Sequence, residues 1–129
     1  MAETKPLVLI VNDDEAMRNA LQFALRLEGI EVHVHANGAD LLADLDLRRG
    51  GCLIMNDRMP HMNGFEVMNF LRDNEISLPA ILLTSVANTA LRARATNAGV
   101  CLVLEKPILD NALIEGVMSI LSYKNMPAK

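Results

Sequence analysis

Five times along this chain a short apolar run is followed by a stretch with helical spacing. The first run is Leu7-Val8-Leu9-Ile10-Val11. It is continuous rather than alternating, as expected of a strand covered on both faces. From Glu15 to Leu27 the spacing predicts a helix. Met17, Ala20, Leu21, Ala24 and Leu25 form one stripe, while Arg18, Gln22 and Arg26 face away. Gly29 stops it. Further strands are predicted at 31–35, 52–56, 80–84 and 101–104. The second helix starts from an Asn37/Asp40 capping pair and is expected to run to about Asp46 or Leu47. The others are predicted at 64–72, 88–98 and 110–122, with a tail from 123 to 129. Glycine, proline and charge signatures differ from unit to unit, so this is no solenoid repeat.

Five βα units in 129 residues imply one domain, with a core at about 6–122 and a parallel sheet flanked by helices on both faces. A closed eight-unit barrel needs about twice the length. With 51% hydrophobic and 22% charged residues, a disordered, collagen-like or simple coiled-coil chain is excluded. Twelve basic residues against sixteen acidic ones, a formal net charge of −4, argue against direct nucleic-acid binding. Cys52 and Cys101 form no CxxC and read as buried small hydrophobes of a reducing compartment. No apolar run reaches the length of a membrane span, and the start does not read as a signal peptide, so the expected location is cytoplasmic.

Open parallel sheets bind at the carboxyl ends of their strands. Those ends hold Asn12-Asp13-Asp14-Glu15, Asn56-Asp57-Arg58-Met59-Pro60, Thr84-Ser85 and Glu105-Lys106-Pro107. Acids, a hydroxyl and a lysine converging there describe a small acidic pocket suited to an oxygen-ligated cation and a phosphoryl group.

These four pieces, in this order and spacing, resemble the response-regulator receiver domain of two-component signalling over residues 6 to 122. The Met-Pro-x-Met-x-Gly loop and the Leu-Glu-Lys-Pro ending are similar to receivers that precede a LuxR-type output domain. The fold expected on both grounds is an α/β doubly wound five-stranded parallel sheet, order 2-1-3-4-5, a flavodoxin-like three-layer sandwich. The resemblance further implies a signalling module rather than an enzyme, with a histidine kinase and an output domain as partners. It also implies acids after strand one that hold Mg²⁺, a phosphorylated aspartate ending strand three, a hydroxyl at Thr84, a phosphate-pairing lysine at Lys106, often before a cis proline, and a switch aromatic on strand five.

Three positions depart from that pattern. The first strand-one acid is Asn12, the phosphoacceptor position is Asn56, and the switch-aromatic position is Val103. Asp13 is the one carboxylate retained from the usual three. A neutral amide oxygen is a poor nucleophile and gives no acyl phosphate. The same changes predict weak Mg²⁺ binding, if any, so no cofactor is expected. Without metal, Lys106 is expected to reach Asp13, with Asn56 accepting a hydrogen bond. The leading reading is a degenerate receiver acting through protein contact. The alternative is a conventional Mg²⁺-dependent receiver seen as an engineered or variant chain with Asp replaced at position 56. A hydrolase or nucleotide binder on this fold is disfavoured, because no GxxxxGK[ST] or GxGxxG occurs.

Rival readings surround the pocket. Asp57 neighbours Asn56, but adjacent strand residues point to opposite faces, so it reads as a solvated loop acid rather than a relocated nucleophile. Asp14 and Glu15 suit the start of a helix. Thr84 is either a locally satisfied strand-end hydroxyl or a phosphate contact. His33 and His35 share a strand face, yet the strand offers no third metal ligand, so they read as edge-strand packing or partial exposure rather than a metal pair. His61 reads as an exposed loop residue, and the methionines at 55, 59, 62 and 68 as packing. In the last helix Leu113, Ile114, Val117, Met118 and Leu121 make an apolar stripe wider than one core face requires. That stripe suggests self-association or a partner contact, against plain burial on the sheet.

Overall fold

The computed structural model describes residues 6–108 and 111–124, with the side chains of 123 and 124 left aside. The elements are β1 (Leu7–Val11), α1 (Glu15–Leu27), β2 (Glu31–His35), α2 (Gly38–Leu42), β3 (Cys52–Asn56), α3 (Gly64–Asp73), β4 (Ala80–Thr84), α4 (Thr89–Ala98), β5 (Val100–Glu105) and α5 (Ala112–Lys124). All strand pairs are parallel, in the order β2-β1-β3-β4-β5.

Side-chain alternation splits the apolar runs between two cores. Leu7, Leu9, Val11, Leu53, Met55 and Leu82 face the side of α2, α3 and α4, where Leu41, Val67, Leu71 and Ala95 meet them. Val8, Ile10, Ile54, Ile81 and Leu83 face α1 and α5, against Leu25, Leu113, Val117 and Leu121. The three central strands are buried along their whole length, which is why their sequences do not alternate.

The helix starts have local causes. Asp14 caps α1 by accepting from the Met17 amide. Asn37 accepts from the Asp40 amide at 2.8 Å, as the capping pair predicts. Asn63 and Glu66 form a reciprocal capping box at α3. Gly64 brings that helix against the end of β3, where a Cβ would sit 2.8 Å from the Asn56 carbonyl oxygen.

Four expectations need correction. The second helix ends at Leu42, and a 3₁₀ turn at Leu47–Arg49 follows. Asp44 is drawn instead to His33 and His35 on β2. Strand five begins one residue earlier and ends one later than predicted, and Cys101 on it is exposed rather than buried. The last helix begins at Ala112, and Asp110 lies outside the described residues. Finally, the broad stripe of α5 is not one surface. Leu113, Val117 and Leu121, at i, i+4 and i+8, are buried on the sheet. Ile114 is half-buried and Met118 is 37% exposed.

Candidate functional site

The carboxyl ends of β1, β3, β4 and β5 lie at one edge of the sheet, because all four strands run the same way. Asn12 follows β1 and Asn56 ends β3; both are buried, at 0% and 3% exposure. Register pairs Val11 with Met55, so the two asparagines project side by side.

Their amides bond to each other in both directions. Asn56 Nδ2 donates to Asn12 Oδ1 at 2.8 Å, and Asn12 Nδ2 donates to Asn56 Oδ1 at 3.3 Å. Asn56 Nδ2 also donates to Asp13 Oδ1 at 3.2 Å. Asn12 is fixed further. Its Oδ1 accepts from the Asp14 amide at 2.9 Å, and its carbonyl accepts from Arg18 Nη1 at 2.7 Å. Among the described residues no buried side-chain nitrogen or oxygen lacks a partner. Such satisfaction is what an interior polar pair requires.

Two carboxylates in these positions would behave differently. At about 3 Å and an effective dielectric near 20, like charges repel by about 5 kcal/mol. A divalent cation would be needed to hold them together. The amide pair replaces that repulsion with hydrogen bonds worth about 1 kcal/mol each. Mg²⁺ takes a near-octahedral shell of oxygens. Here an amide nitrogen, which cannot ligate a cation, is aimed at both Asn12 Oδ1 and the Asp13 carboxylate.

Asp57 is not a solvated loop acid. Its amide donates to the Leu83 carbonyl at 3.1 Å, which carries the β3–β4 ladder one residue past Asn56. Alternation then turns Asp57 away from Asn56 and towards the face shared by Leu53, Met55 and Leu82. Thr84 sits there, 1% exposed. Its hydroxyl donates to Asp57 Oδ2 at 2.8 Å and accepts from the Val86 amide at 3.1 Å. The hydroxyl therefore serves Asp57, not Asn56.

The Lys106 amide donates to the Thr84 carbonyl at 2.7 Å, just before a cis Lys106–Pro107 bond. Its half-buried side chain lines an open cleft with Asp57, Arg58, Thr84, Ser85 and Asn88. The expected pair between Lys106 and Asp13 does not form among the described residues, where Asp13 is exposed and bonded by Asn56. Nor does Asn56 accept from the lysine; its oxygen is taken by Asn12. Val103 is half-buried against the α2–α4 core. The predicted pocket is thus two subsites, an amide subsite of Asn12, Asp13 and Asn56, and a cleft with Asp57, Thr84 and Lys106.

Known proteins share both sequence and fold with this chain. The model of the response regulator receiver domain matches residues 8–118. Over 110 residues the chain is 34% identical to the transcriptional regulatory protein FixJ of Rhizobium meliloti, covering 85% of this chain and 54% of that protein. It is 37% identical over 114 residues to the C4-dicarboxylate transport transcriptional regulatory protein DctR of Rhodobacter capsulatus, covering 87% and 58%. The chain therefore spans little more than half the length of these relatives. The crystal structure of FixJ-N superposes with a TM-score of 0.80 at 32% identity, covering 98% of this chain and 100% of that one. The response regulator StyR gives 0.84 at 30% identity, over 93% of this chain and 61% of that one. A family match along most of the sequence, on the fold of solved relatives, makes this chain a member of the response-regulator receiver family, a receiver domain of two-component signalling.

Proposed function

We propose that this receiver works without phosphorylation, as a contact module whose pocket is held in one state by its own side chains. The observation that carries the reading is the reciprocal Asn12–Asn56 amide pair, in which each side chain satisfies the other. The acceptor position lacks an anionic oxygen, and the neighbouring amide donors disfavour Mg²⁺. The chain catalyses no turnover in this reading. Its output is protein contact with a histidine kinase or with an output domain of the kind that transcriptional relatives such as FixJ and DctR suggest. On α5, Ile114 and Met118 are the outward remnant of the predicted interface, and they support a small contact or self-association surface.

One observation favours a second reading. Asp57 is a half-buried carboxylate beside Thr84 and Lys106, the groups that would contact a phosphoryl oxygen. In that reading the acceptor has moved by one residue. Intact-protein mass after incubation with acetyl phosphate and Mg²⁺ separates the two. The degenerate receiver gains no phosphoryl group, whereas N12D/N56D gains one. A hydroxylamine-labile adduct on the parent that Asp57→Asn removes would establish the relocated acceptor instead.

A further inference from the structure

At the open edge of the sheet, β2 presents His33 and His35 on one face. The turn after α2 brings carboxylates to that face. Asp44 Oδ2 lies 2.9 Å from His33 Nδ1 and 2.8 Å from His35 Nε2. The Asp44 side chain is only 8% exposed. Asp46 adds a carboxylate oxygen within 4.8 Å of the ligand atoms of His33 and Asp44.

The hydrogen-bond inventory of this cluster is informative. His33 has a carboxylate at each ring nitrogen, Asp44 at Nδ1 and Glu31, 3.1 Å away, at Nε2. A neutral imidazole carries one N–H and satisfies one of them. Burial pushes His33 towards its neutral form, yet Asp44 and Glu31 outweigh it and hold its pKa above the ordinary value. Likewise burial raises the Asp44 carboxyl, but the Asp46 amide and both imidazoles bring it below the usual range. Arg49 braces the outer layer, with Nη2 3.1 Å from Glu31 and Nε 3.5 Å from Asp46.

We propose that His33, Asp44 and Asp46 bind one divalent ion of the zinc class, with His35 Nε2 holding Asp44 in place from 2.8 Å. An imidazole nitrogen beside two carboxylate oxygens suits Zn²⁺ better than Mg²⁺, which takes oxygen donors. The ion would fasten the turn at 43–46 to the edge strand.

Calorimetric titration of the purified chain with zinc chloride tests this. One equivalent binds to the parent and equally to Cys101→Ser, which removes the exposed thiol as a competitor. His33→Ala and Asp44→Asn each weaken binding more than about tenfold, and magnesium chloride does not compete. Metal-free thermal melts verify that each variant is folded. If Asp44→Asn unfolds the chain, parent NMR decides, since the imidazole signals of His33 must shift and saturate at one equivalent. Absence of one-equivalent binding, binding that survives Asp44→Asn, or binding lost in Cys101→Ser overturns the proposal.

Discussion

Replacing Asn56 by aspartate perturbs the amide subsite at its most constrained point. In the parent, the Asn56 amide nitrogen donates to Asn12 Oδ1 at 2.8 Å and to Asp13 Oδ1 at 3.2 Å. Asn56→Asp removes both donors and sets a carboxylate against an amide oxygen and another carboxylate. Loss of two hydrogen bonds costs about 2 kcal/mol. The new carboxylate pair adds about 5 kcal/mol of repulsion at an effective dielectric near 20, before relaxation. Asp13 is exposed and can turn towards water, so much of the repulsion is relieved. The expected net destabilisation at neutral pH without metal is about 2–4 kcal/mol. The repulsion raises the folded-state pKa of the new acid. Its penalty is therefore absent below about pH 4, where the acid is protonated in both states, and grows as pH rises through the raised value. Millimolar Mg²⁺ should recover part of the loss by neutralising the pair. Urea unfolding of parent and variant, with and without Mg²⁺, reads all of this. An N56D chain as stable as the parent in metal-free buffer, with no response to Mg²⁺, would show that the amide donors do not hold this subsite.

Four other perturbations follow from the same packing. Thr84→Val removes the hydroxyl that donates to Asp57 and should cost about 0.5–1.5 kcal/mol in urea unfolding, with no effect of Mg²⁺. Gly64→Ala puts a Cβ 2.8 Å from the Asn56 carbonyl oxygen and 3.1 Å from Leu82 Cδ1; a loss of about 1–3 kcal/mol is expected, with shifted Asn56 side-chain amide NMR signals. Leu121→Ala should cost about 2–5 kcal/mol, because it empties a core site. Met118→Ser should stay within about 0.5 kcal/mol while weakening any self-association seen by light scattering.

Much of the fold was legible because fully buried parallel strands leave continuous apolar runs, and β1, β3 and β4 appear at their predicted positions. Where tertiary contacts compete with local spacing, the reading failed. Leu41, Leu42 and Leu45 suggest that the second helix continues, but Leu45 is fully exposed and Asp44 is captured by two histidines on β2. Alternation correctly separates Asp57 from Asn56. What Asp57 meets on its own side depends on the β3–β4 register, which brings up Thr84. Asn12 and Asn56 stand out in sequence as departures from a family pattern. Their mutual bonding requires the β1–β3 register, which no single segment reveals. Edge strand β5 misled for a related reason: Cys101 sits in an apolar run, yet its face is left exposed, whereas His33 and His35 on edge strand β2 are half-buried as edge packing predicts.

If the Asn12–Asn56 pair holds the pocket by itself, neither a cation nor a phosphoryl mimic should alter it. Side-chain amide and backbone NMR signals of the parent, recorded before and after addition of millimolar Mg²⁺ and beryllofluoride, decide this. Signals of Asn12, Asp13, Asn56, Thr84 and Lys106 are expected to stay in place, with the two side-chain amides protected from solvent exchange. Saturable shifts at those residues, spreading to Val103 and β5, would contradict it and mark this receiver as one that still binds a metal and a phosphoryl group.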